Sequence, residues 1–181
     1  MKPRDKSAGG LIIQEHKVAI IEYIPYLRRY AFSLIGNQKL ADQLVHNSIK
    51  CALDLIRLIP AGAHVKVWLF TIFHNLHNEI INDDKEFAHA TDQANDDQDI
   101  VEQETLALTS NDPEFLNALN GLPLLQKQVF LLVVLEAIAY EDVCKILNIP
   151  LGSLLSHLHS ARRTISAHLF PKAETVALGC A

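Results

Sequence analysis

Lys66, Thr71, His74, Asn75, His77, Asn78 and Asn82 gather hydrogen-bonding groups and few carboxylates in one short stretch. Groups of that kind suit contact with base edges and phosphates. His74 and His77 stand three apart and could share a metal ion from one helix face. No cysteine, aspartate or third histidine sits nearby at ligand spacing, so no metal is expected. A second stretch, Tyr140–Arg163 (YEDVCKILNIPLGSLLSHLHSARR), reads as two short helices at a tight turn. Val143, Ile146 and Leu147 make one apolar stripe, and Leu151, Leu154, Leu158, Ile165 and Leu169 make another. Asn148 tolerates the left-handed conformation that ends a helix, and Pro150 can begin the next. Helices joined by so short a turn cross steeply, the helix-turn-helix geometry used in the DNA major groove. An ordinary helical hairpin fits the same residues.

Catalytic signatures are missing. Of the seven glycines only Gly9 and Gly10 are adjacent, there is no phosphate loop, and no GxSxG, HExxH or calcium-loop pattern occurs. Neither an enzyme nor a cofactor is expected.

The elements that carry these residues are helical. Hydrophobic residues make up 49% of the 181, and their spacing is helical almost throughout, without strand-type alternation. The expectation is an all-α protein of two small helical domains. The N-terminus is polar and no apolar run reaches a membrane span, so neither a membrane span nor secretion is expected and the cytoplasm is the expected compartment. Cys51, Cys144 and Cys180 are odd in number and share no CxxC spacing, which points to reduced thiols. Net charge is −5, unfavourable for a nucleic-acid binder. Residues 83–111, however, hold nine acids and one lysine, and the remainder carries 15 basic against 12 acidic residues. Acidity therefore belongs to one segment, and the weak positive remainder does not predict tight autonomous DNA binding.

In chain order, residues 1–10 are expected to be disordered. A first helix follows from Ile12 to Ile35, with Pro25 as a boundary or kink. Its Arg28, Arg29 and Tyr30 read as a solvated face. A second helix spans Lys39–Leu58, with Leu40, Leu44, Val45, Ile49, Ala52 and Ile56 inward. A third starts near His64, with Val65, Trp68, Leu69, Ile72, Phe73, Leu76 and Ile80 as its core stripe and the polar group opposite. These make a first domain over 11–82, and residues 83–111 make an acidic linker. The second domain, 112–171, opens on Asn111-Asp112-Pro113-Glu114, a helix-start pattern. It continues through Leu124–Glu136, apolar on most sides, into the two-helix stretch. A tail, 172–181, is expected to fray.

The two halves together resemble extracytoplasmic-function sigma factors of bacterial RNA polymerase. Pro25–Ala31 looks like the family's PxLRRYA, Ala41–Val45 like ADDLVQ, and Val67–Asn75 like AWLFTIxHN. Leu122–Arg162 resembles the second-domain pattern that ends PxGTVxSRLxRAR. The first and third wordings point to the general-stress-response branch of alphaproteobacteria, the EcfG type. The resemblance implies binding to core RNA polymerase and promoter DNA, and inhibition by a small NepR-type anti-sigma protein. By position, Gly62, His64, Lys66, Thr71, His74, Asn75 and Asn78 would meet the −10 element. Asp42, Gln43, His46 and Asn47 would face polymerase. Ser153, Ser156, His157 and Ser160 would face the −35 groove, with Arg162 and Arg163 on phosphates.

Some positions depart from the family. Gln43, His46 and Asn47 replace a pattern with more carboxylates, His157 and Ser160 replace arginines, and Lys66 replaces an arginine. The last keeps the charge but loses the planar fork. These departures favour an alternative, a sigma mimic that sequesters the anti-sigma protein without touching DNA. A stand-alone helix-turn-helix repressor would leave the first domain unexplained.

Overall fold

The computed structural model describes residues 6–59, 62–88 and 113–169, and among these every element is helical. Three long helices make the first bundle: α1 (Lys6–Ile35), α2 (Gln38–Asp54) and α3 (Val65–Ala88), with a 3-10 turn at Ile56–Leu58. Four helices make the second, three of them short: α4 (Pro113–Asn120), α5 (Leu124–Phe130), α6 (Tyr140–Leu147) and the longer α7 (Leu151–Leu169). A π-helical stretch, Leu131–Leu135, extends α5.

Local chemistry explains the boundaries. Gly36 at φ 75° ends α1, its N–H donating to Phe32 O at 2.8 Å. Asn37 then caps α2 by accepting the Leu40 N–H at 3.1 Å. α4 begins on Pro113 with Glu114 in its first turn, as the sequence pattern predicts. Asn111 and Asp112 lie outside the described residues, as do most of the expected linker and the tail.

Several expectations need correction. α1 begins at Lys6, inside the segment expected to be disordered, and runs through Pro25 without ending. Proline removes the hydrogen bond to the Ile21 carbonyl, but Pro25 and Ile21 are both exposed, so water can satisfy that oxygen. α3 continues to Ala88, six residues into the expected linker. Leu40 and Leu151, placed in core stripes, sit in first helical turns and are exposed, as is Ile80.

One apolar cluster spans both bundles. Leu27, Leu34, Leu44, Leu69, Phe70 and Phe73 from the first join Leu119, Val129, Leu132, Val143, Leu154 and Leu158 from the second. α3 packs on α1 and α2 and also on α6, and the π-helical stretch packs on α1. A helix covered from two sides buries residues well beyond a single stripe. That is why α3 buries Leu69, Phe70, Ile72, Phe73, His74 and His77 together.

Candidate nucleic-acid interface

α6 and α7 form the expected two-helix unit. Asn148 takes φ 52°, ψ 48°, and its backbone N–H returns to Cys144 O, as does that of Ile149 at 3.1 Å. Two N–H groups are thereby satisfied at the turn, and α7 restarts with Leu154 N–H donating to Pro150 O at 3.1 Å. Leu154, Leu158, Ala161 and Ile165 bury one face of α7. Ser156, Arg162 and Arg163 are exposed, while Ser153, His157 and Ser160 are half-buried. The outward face at the start of α7 also carries Leu151 and Leu155, both exposed.

A second polar centre lies between the two bundles, built around Glu136. Its carboxyl oxygen Oε1 accepts from Arg29 Nη2 at 2.8 Å and Nε at 3.1 Å. Arg29 Nη2 also donates to Leu135 O at 3.1 Å. Lys66 Nζ donates to Glu136 O at 2.6 Å and lies 3.3 Å from Oε2, which has no hydrogen bond. The Glu136 side chain is 0% exposed. Both cations face the Tyr26 ring, at 5.4 Å for Arg29 and 5.0 Å for Lys66. The π-helical stretch places this carboxylate, since Glu136 N–H donates to Leu131 O, five residues back. The added residue in that turn rotates the chain beyond it, and Ala137 takes φ 52° to complete the exit. A third cross-bundle tie is Lys127 Nζ, which donates to Leu34 O at 3.0 Å and Asn120 Oδ1 at 2.9 Å. The Leu34 carbonyl belongs to the negative end of the α1 dipole, a favourable place for a cation. Burial pushes the Lys127 ammonium pKa down.

Comparison with known proteins identifies both halves. Residues 20–74 match the model of the sigma2 domain of PhyR, and residues 113–165 match sigma-70 region 4. The ECF RNA polymerase sigma factor EcfG of Rhodopseudomonas palustris is 31% identical over 159 residues, 83% of this chain and 83% of that protein. The chain belongs to the extracytoplasmic-function RNA polymerase sigma factors. The phyllosphere-induced regulator PhyR of Methylorubrum extorquens is also similar to this sigma factor, 25% identical over 150 residues, which span 49% of that regulator. The fold matches the sigma factor RpoE solved in complex with the anti-sigma factor NepR from Bartonella quintana. That match has a TM-score of 0.74 and 24% identity, and covers 86% of this chain and 97% of the other.

Within this sigma factor the expected −10 residues separate into distinct environments. Gly62, His64, Asn75 and Asn78 are exposed. Thr71 Oγ1 donates to Val67 O at 2.9 Å, so its hydroxyl is committed to its own helix. Lys66 is held by Glu136. His74 contradicts the outward placement: its ring is buried, and Nε2 shares a hydrogen bond of 3.0 Å with Tyr30 Oη. His77 is buried too, stacked on Phe73. The cause is the two-sided burial of α3, which turns both imidazoles into core groups. Burial, with a smaller contribution from His77, pulls the His74 pKa down to about 4, and burial lowers His77 as well. Among the described residues no group of three or more His, Cys, Asp or Glu could hold a metal. Cys51 and Cys144 are free thiols, and Cys180 lies outside the described residues.

The expected polymerase face sits on the outside of α2. Gln43, His46 and Asn47 are exposed. Asp42 accepts from Gln38 Nε2 at 2.8 Å and pairs loosely with Arg28 at 3.7 Å. The solvated-face reading of Arg29 and Tyr30 is also overturned, since Tyr30 is fully buried and Arg29 grips Glu136. Sequence reasoning missed Glu136 itself. Its signal was available: it is a lone acid closing an apolar run (VFLLVVLEAIA), and a buried acid requires a cationic partner.

Proposed function

We propose that this sigma factor directs promoter-specific transcription initiation in a general stress response. A small NepR-type anti-sigma protein holds it inactive. The outer face of α2 (Asp42, Gln43, His46, Asn47) docks on core polymerase in the cytoplasm. Gly62, His64, Lys66, Asn75 and Asn78 meet the −10 element, and α7 meets the −35 element. There Ser153, Ser156, His157 and Ser160 approach base edges while Arg162 and Arg163 hold phosphates. The observation that carries this reading is the EcfG relative, matched over 83% of both chains. The described residues also include no helix long and apolar enough to cross a membrane.

A mimic that only sequesters the anti-sigma protein is the second reading. It draws on the match of residues 20–74 to the PhyR sigma2 model and on the uncharged Gln43, His46 and Asn47. The similarity to PhyR is weaker, however, and spans half of that protein. A pull-down with purified core polymerase separates the two. A promoter-reading sigma factor is retained stoichiometrically, whereas a mimic passes through and keeps only its small helical inhibitor.

A further inference from the structure

The Glu136 contact cannot survive promoter binding as proposed. The −10 and −35 elements are roughly 25 base pairs apart, or about 85 Å of duplex at 3.4 Å per step. A bundle of this size has a radius of gyration of about 10 Å, so two touching bundles cannot reach both elements. When the bundles part, Arg29 and Lys66 lose their carboxylate, and the two cations remain together on one bundle, facing the same tyrosine ring. Tyr26 is 43% exposed even in the closed chain.

Two cations flanking an aromatic face have the chemistry of a single-strand nucleotide site: phosphate on the cations, base on the ring. We infer that Tyr26, Arg29 and Lys66 form a seat for one nucleotide of the melted −10 strand, and that Glu136 occupies this seat in the closed chain as a phosphate substitute. The inference rests on the sigma-factor reading and adds a site to it. Glu136 fits the role of an exchangeable occupant. Its Oε1 takes the guanidinium fork as a phosphate oxygen would, while Oε2 is buried without a hydrogen bond. Its segment also leaves the π-helical stretch through a left-handed alanine, a strained conformation for a residue with a Cβ.

The test measures binding of fluorescein-labelled oligo(dT) to the full chain and to its complex with core polymerase, across a salt series. Oligo(dT) suits a seat that reads backbone and stacking, not base identity. Glu136→Gln should tighten binding by the free chain about tenfold and steepen the salt slope by about 0.7 per phosphate gained. In the polymerase complex, Tyr26→Ala, a half-exposed change that spares the core, should weaken strand binding about tenfold. Binding of a duplex −35 fragment should stay unchanged. If Glu136→Gln leaves the strand affinity of the free chain unaltered, or Tyr26→Ala leaves it unaltered in a polymerase complex that still initiates transcription, the seat is overturned and the sigma function stands. If the wild-type chain never joins polymerase, both fall. Should Glu136→Gln fail to fold, the Tyr26→Ala comparison decides alone.

Discussion

At the scale of single residues, the polar chemistry of this sigma factor divides into buried groups and displayed groups. His74 belongs to the first kind, bonded to Tyr30 inside the first bundle. Its pKa is about 4 when folded against an ordinary 6.5, so the unfolded chain takes up the extra proton. Stability from this site is complete above pH 6.5 and is lost as pH falls toward 4, by at most on the order of 3 kcal/mol. Chemical unfolding from pH 7.5 to 4.5 should therefore show a falling midpoint, and His74→Gln should flatten that fall. Arg162 belongs to the second kind, exposed on α7. Arg162→Ala should weaken DNA binding about equally across sequences and reduce the salt slope by about 1. Fluorescence anisotropy on several duplexes measures both, and an unchanged slope would remove Arg162 from the contact set.

At the scale of elements, the turns determine how side chains are aimed. Asn148 adopts its left-handed conformation at low cost, but Ala137, at φ 52°, does so against its Cβ. Ala137→Gly should relieve that strain and raise stability by about 0.5–1 kcal/mol, read as a higher melting temperature. Elements also differ in how far the sequence announces them. The α6–α7 unit was legible because its signals are local: two apolar stripes, an asparagine and a proline in order. The helix start at Pro113 was legible for the same reason. The π-helical stretch was not, because nothing in VFLLVVLEAIA distinguishes a five-residue turn from an ordinary one. The helical course through Pro25 depends on the exposure of one carbonyl, which only the assembled bundle reveals.

At the scale of the whole molecule, two bundles share one apolar cluster and close over a buried carboxylate. Closure is what sequence reading could not supply. It assigned Lys66 to DNA and Arg29 to solvent, because their common partner lies 70 and 107 residues further along the chain. It placed His74 and His77 outward, because one stripe was counted where α3 is covered from two sides. Lys127 adds a further tie, and Lys127→Met should strand the Leu34 carbonyl and Asn120 amide oxygen. Loss of a charge-assisted bond of this kind costs about 1.5–3 kcal/mol. Solution scattering should then show a larger radius of gyration than the wild type.

As proposed, these two bundles, once opened on polymerase, select a promoter and start its transcription. Run-off transcription with purified core polymerase, this chain and a stress-type promoter template tests this most directly. A promoter-reading chain yields a discrete run-off transcript that depends on it, disappears when the −35 or −10 element is scrambled, and is suppressed by a NepR-type protein. A chain that leaves core polymerase as inactive as it was alone, while still binding the NepR-type protein, is a mimic and not a promoter-reading sigma factor.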